Sequence, residues 1–153
     1  MPRVSTDEML SKVGEVIGTS EWVAIEQDRI NQFADATGDH QFIHLDAEKA
    51  KMTPFGTTIA HGFLTLSLLP YLMAQSNDML AIDGVKMGVN YGLDKLRFLS
   101  PVKSGKRVRG VFSLGALIEK RPGQWQQTLE CSVEIEGEEK PALIASWINQ
   151  VFI

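Results

Sequence analysis

The chain has 153 residues, 44% of them apolar and 22% charged, with a formal net charge of −4. That length suits one domain able to bury roughly two-thirds of its extended surface. The acidic balance provides no basic field for nucleic acid, and no run of like charges marks an anionic-membrane patch.

The N-terminal segment is polar and lacks the apolar core of a signal peptide. Ser5 and Glu8 have capping-box spacing, and Leu10 and Val13 offer a small apolar stripe before Gly14, so a short helix is expected there. Ser20 to Ile25 reads as a short strand. Gln27 to Thr37 reads as a helix with Ile30, Phe33 and Ala34 on one face, stopped by Gly38. Asp39 to His44 is too short and mixed for a regular element, and Asp46 can cap a further turn over Ala47 to Lys51. Pro54 and Gly56 mark a loop. His61 to Ala74 is then a helix of roughly 21 Å, apolar nearly all round, which must be enclosed on most sides. Pro70 within it predicts a kink or an early end. The stretch is too short to span a bilayer, which needs about 20 residues.

The second half switches to a period of two. Gly84 to Phe98 is strand-like. Val108, Phe112, Leu114, Ala116 and Ile118 form one alternating strand, and Trp125, Leu129, Cys131, Val133 and Ile135 form another across a turn at Arg121 to Gln124. Cys131, the only cysteine, reads as a small buried hydrophobe; it excludes an intrachain disulfide and fits a reducing cytoplasm. Leu143 to Ile153 is a last strand, apolar on both faces, which points to a cover or a neighbouring subunit. Residues 1–153 therefore read as a single α+β domain in which one buried helix packs on a curved antiparallel sheet.

The candidates for chemistry lie in the first half. Asp39 and His44 flank the apolar pair Phe42-Ile43, which can anchor the loop while its polar ends converge on a shared water. Gly62 falls in the first turn of the long helix, where an amide has no intrahelical partner and a ligand can approach closely. Such an amide can stabilise an oxygen that gathers negative charge; a glycine kept for tight packing is the other reading. His40 is expected to face solvent. His40 and His44 have His-x-x-x-His spacing, but no Cys-x-x-Cys, Gly-x-Gly-x-x-Gly or Gly-x-Ser-x-Gly pattern occurs, and neither a metal site, a phosphate loop nor a hydrolase elbow is expected.

These residues resemble the MaoC-like family of (R)-specific enoyl-CoA hydratases and dehydratases. The resemblance is carried by Ala36-Thr-Gly-Asp-His-Gln-Phe-Ile-His-Leu-Asp and Ile59-Ala-His-Gly-Phe-Leu-Thr-Leu-Ser, and extends to Tyr91-Gly-Leu-Asp-Lys-Leu-Arg-Phe-Leu-Ser-Pro-Val-Lys. The wording around Trp22, Gly38 to His44 and His61 to Leu72 is nearest the branch that includes nodulation protein N-like proteins. Two departures stand out: the family's Asn-Pro is here Gln41-Phe42, and a serine found in some members is here Pro70.

The resemblance implies a hotdog fold, a homodimer joined edge to edge through its sheets, and an acyl-CoA or acyl-carrier-protein thioester as substrate. It implies Asp39 and His44 as catalytic residues and Gly62 as the oxyanion donor, with no cofactor. Phe42, Ile59, Phe63 and Leu66 are expected to line the acyl pocket. The expected reaction is syn addition of water to a trans-2-enoyl thioester. A hotdog acyl-CoA thioesterase and a non-catalytic acyl-thioester-binding subunit are the alternatives. Neither nucleic acid nor membrane is an expected partner.

Overall fold

The computed structural model describes residues 1–153. The chain opens with β1 (Arg3–Val4) and α1 (Thr6–Leu10). The Ser5 hydroxyl caps α1, accepting the Glu8 N–H at 3.1 Å. The residue that α1 buries is Met9, whereas Leu10 and Val13, expected to form its apolar stripe, are exposed. A helix of five residues is little more than one turn, so few of its positions can face the core. β2 (Val16–Thr19) comes next, and the strand expected over Ser20 to Ile25 contracts to β3 (Val23–Ala24).

α2 (Gln27–Thr37) has its expected bounds. Ile30 and Ala34 are fully buried, and Gly38 ends the helix at φ 81°, in the left-handed region that favours glycine. Two single turns follow, α3 (Phe42–Leu45) and α4 (Ala47–Ala50). The first was not expected from the sequence, because four residues carry no readable period. Asp46 caps the second, accepting the Lys49 N–H at 3.0 Å.

The central helix is two consecutive pieces, α5 (Gly62–Ser67) and α6 (Leu69–Ala74), meeting at Leu68. Pro70 sits in the first turn of α6, where its missing N–H costs nothing to that helix but breaks continuity with α5. Neither piece, nor any other helix, is long and apolar enough to cross a membrane.

β4 (Ala81–Ile82) pairs in parallel with β1. The remaining strands are β5 (Met87–Phe98), β6 (Arg107–Arg121), β7 (Gln124–Ile135) and β8 (Leu143–Phe152). They form one antiparallel sheet in the order β2-β6-β7-β8-β5, with β3 also paired to β6. The sheet wraps α5 and α6 as expected, and one cluster of 23 buried residues joins them. Phe112 and Leu114 from β6, Leu129 from β7, Leu143 from β8 and Leu72 from α6 are among its fully buried members.

The alternation along β6 is broken, contrary to expectation. Its register with β7 shifts between Leu114 and Ala116. Val108, Phe112 and Leu114 point inward before the shift; beyond it Leu117 is buried and Ile118 is 49% exposed. One extra residue moves every later side chain to the opposite face.

Enclosure of the helices is incomplete. Leu64, Leu69 and Leu72 are buried, but Phe63 is 66% exposed. Beside them runs β5, an edge strand on which Met87, Val89, Tyr91 and Phe98 are all exposed.

Candidate active site

The left-handed turn at Gly38 reverses the chain out of α2 and delivers Asp39 to the start of the next segment. The single turn of α3 then points His44 inward, so that Asp39 is exposed while His44 is 6% exposed. A clamp holds this geometry. At the start of α2, the Gln27 side-chain amide donates to the His44 carbonyl at 2.7 Å, and its oxygen accepts the Thr58 hydroxyl at 2.6 Å. The Ile59 N–H donates to the Ile43 carbonyl at 3.0 Å, and the Ala60 N–H to the Val102 carbonyl at 2.7 Å. Gln27 thereby ties α2, α3 and the lead-in to α5 together. Its place at a helix start gave no sequence signal for that role.

The expected pair does converge. Donor atoms of Asp39, His44 and His61 all lie within 4.8 Å of one another. His44 Nδ1–H donates to the Ile59 carbonyl at 2.7 Å, which leaves Nε2 as the ring's lone-pair nitrogen. Burial lowers the His44 pKa below the ordinary imidazole value of 6.5, outweighing the backbone hydrogen bond that raises it. The imidazole is therefore neutral at pH 7, with Nε2 able to take a proton. His40 stands apart: it is exposed and donates to Asp35 at 2.9 Å, and that bond raises its pKa.

His61 is a member of the site that sequence reasoning recorded only as the neighbour of Gly62. Its ring stacks on His44 with centroids 3.8 Å apart and planes 24° from parallel. Its Nε2–H donates to the Asp39 carbonyl at 2.9 Å, so the residue before Gly62 fixes the loop that carries Asp39. Its Nδ1 is buried without a partner.

Asp39, His44 and His61 are the residues that could hold a metal ion, but their geometry fits one poorly. One nitrogen of each ring is committed to a carbonyl, and the lone pairs of near-parallel stacked rings run side by side instead of converging on a point.

A cavity of about 270 Å³ opens beside His44, lined also by Ile59, Gly62, Thr65, Phe98 and Val102. The Gly62 N–H, the first amide of α5, makes no hydrogen bond within the chain. A Cβ on Gly62 would lie 2.9 Å from the Phe98 ring, so close packing also uses this glycine. Of the four residues expected to line the acyl pocket, only Ile59 borders this cavity. Leu66 lines a second cavity of about 410 Å³ further along the helix. Phe42 is 42% exposed and Phe63 66% exposed, and neither lines this cavity or the second; Phe63 instead packs edge-on against Phe98 at 5.8 Å.

Burial pushes the Cys131 thiol up to about 12, which removes it from nucleophilic chemistry.

Comparison with known proteins shows the family of the chain. The chain is 50% identical over 144 residues to 3-hydroxyacyl-thioester dehydratase Z of Mycobacterium tuberculosis, covering 94% of this chain and 93% of that protein. It is 49% identical over 150 residues to Nodulation protein N of Rhizobium leguminosarum bv. viciae, covering 97% and 92%. Among solved structures, the (R)-hydratase from A. caviae involved in PHA biosynthesis superposes with a TM-score of 0.71 at 26% identity, covering 88% of this chain and 95% of that one. The sheet wrapped around α5 and α6 is the hotdog fold of these proteins. The model of the MaoC like domain matches residues 8–136, and the chain belongs to that family.

Proposed function

We propose that the protein is an (R)-specific hydro-lyase, a 3-hydroxyacyl-thioester dehydratase and enoyl-thioester hydratase. The observation that carries this reading is the approach of Asp39 to a neutral His44, whose Nε2 is free and which borders a cavity shared with the unpartnered Gly62 amide. The family and the activities named for its relatives support it.

In the hydration direction, water lies between Asp39 and His44. Nε2 takes one water proton as the oxygen attacks C3 of the enoyl thioester. The C2–C3 π electrons move toward the thioester carbonyl, whose oxygen gathers charge against the Gly62 N–H. The resulting imidazolium, held beside the Asp39 carboxylate, returns the proton to C2 from the same face. His44 is regenerated and one water has been added syn. Dehydration runs the same steps in reverse. The thioester itself acidifies C2, so the chemistry needs no cofactor.

His44→Ala and Asp39→Asn should each slow hydration of crotonyl-CoA by about 10²-fold or more, read as loss of enoyl absorbance, with the fold retained by circular dichroism. Near-normal turnover in either variant overturns the assignment. Release of free thiol from a saturated acyl-CoA would mark the thioesterase reading instead.

A homodimer joined through β5 is part of the same proposal. Its support is an unpaired edge carrying exposed apolar side chains beside the open side of α5, a surface that a second copy would cover. The acyl carrier is a CoA or carrier-protein thioester. The inert, buried Cys131 fits work in the cytoplasm.

A further inference from the structure

The cavities that follow one another along α5 and α6 from His44 do not end in hydrocarbon. Gly62, Thr65, Leu66, Leu69, Pro70 and Met73 lie at i, i+3, i+4, i+7, i+8 and i+11, which is one stripe along α5 and α6. Gly62 and Thr65 line the cavity beside His44. Leu66, Leu69 and Pro70 line the next. Pro70 and Met73 line a third, of about 460 Å³. The strand side keeps the same order, with Phe98 at the first cavity, Leu93 at the second and Asn90 shared by the second and third. At 1.5 Å per residue, the stripe from Gly62 to Met73 runs roughly 16 Å.

At its far end three carboxamides stand in a row. Asn90 on β5 is the cross-strand partner of Asn149 on β8, and Asn149 is the partner of Gln127 on β7. All three line the third cavity. Asn149 is 9% exposed, yet its side chain makes no hydrogen bond in the protein, and neither does that of Gln127. The Asn90 oxygen accepts the Trp147 indole N–H at 3.1 Å, which turns its NH₂ donors loose. Asn90 is exposed and Gln127 half-buried, and the amide atoms of the row depend on water in the cavity for the partners the protein does not supply. A plain hydrocarbon end entering here would strip water from these groups and return nothing. A hydroxyl or carbonyl would replace those bonds.

We infer that the preferred substrates are enoyl and 3-hydroxyacyl thioesters whose acyl tail carries a hydrogen-bonding oxygen function at its far end, bound by Asn149, Gln127 and Asn90. This rests on the hydratase reading above and names its substrate class.

The test uses matched trans-2-enoyl-CoAs of increasing length, one of each pair ending in methyl and the other in a hydroxyl. At the length that reaches the row, kcat/KM should favour the hydroxylated member by about tenfold or more. Asn149→Leu should bring that ratio to one or below, and Gln127→Leu, at a half-buried position that does not threaten the fold, should lower it. Each ratio is internal to one variant, so loss of active protein does not mimic the effect. Equal turnover of both members at every length, or an unchanged ratio in both variants, overturns the inference while crotonyl-CoA hydration still stands. Failure to hydrate crotonyl-CoA overturns the hydratase reading, and this inference with it.

Discussion

β5 and β7 are both strands of 12 residues, and both are hydrogen-bonded to β8, on opposite sides. β7 sinks Leu129, Cys131, Val133 and Ile135 to 5% exposure or less. β5, with Met87, Val89, Tyr91, Leu93 and Phe98, buries none of its residues. Apolar content therefore does not separate them. β7 has a strand on each side and helices across its inner face; β5 has one neighbour and borders the groove. The chain closes one half of its core completely and leaves an apolar seam along the other. The cavity beside His44 and the two that follow it along α5 and α6 border that seam.

The comparison can be broken first on the closed side. Phe112 is fully buried, and Phe112→Ala should cost about 3–5 kcal/mol of stability, seen as a fall in denaturant midpoint. A smaller loss would mean that the packed half is looser than its burial indicates. At the join of the two halves, Gly62→Ala places a methyl against Phe98, whose exposed ring can move away. Stability should fall by only about 1 kcal/mol, the low end for overpacking, while turnover falls further because the methyl and the displaced ring crowd the cavity beside His44. Equal loss in both measurements would make Gly62 a packing glycine only.

A smaller effect comes from protonation of His44. Its pKa in the folded protein lies below the ordinary 6.5, so the unfolded chain binds the proton more tightly. The contribution of neutral His44 to stability is complete above pH 6.5 and is lost as the pH falls through the folded value. Because the neutral ring is the proposed base in hydration, kcat/KM should show an acid limb in the same window. His44→Ala should flatten the His44 part of the stability profile, and an unchanged profile would show that folding does not lower the pKa of this ring. Smallest in stability, and sharpest for the seam, is Val89→Lys on β5. The change should move monomer stability by no more than about 0.5 kcal/mol, but the molar mass in solution should drop from two chains to one. A variant that keeps the mass of two chains would place the interface elsewhere.

Much of this was written locally. The helix Gln27–Thr37, its glycine stop, the two long strands flanking Arg121 to Gln124 and the disruption at Pro70 follow from period, capping and proline chemistry, which act over a few residues. Asp39, His44 and Gly62 were legible as a group because short spacing and residue type suffice to nominate an acid, a base and a bare amide. The register shift after Leu114 was not, since a bulge depends on what the partner strand offers. Nor was the burial of Met9 in place of Leu10 and Val13, which depends on how one short turn meets the sheet.

What the sequence determined by itself was most of the longer elements and which side chains are candidates for acid–base work. The tertiary structure alone decided which of them meet. It set His61 flat against His44, made Gln27 a clamp across elements 17 and 31 residues away, and lined up Asn90, Asn149 and Gln127 from three strands at the far end of the groove. Hydrogen bonding and side-chain period are local and readable along a chain. Convergence of residues distant in sequence is fixed only when strand order and register close the fold.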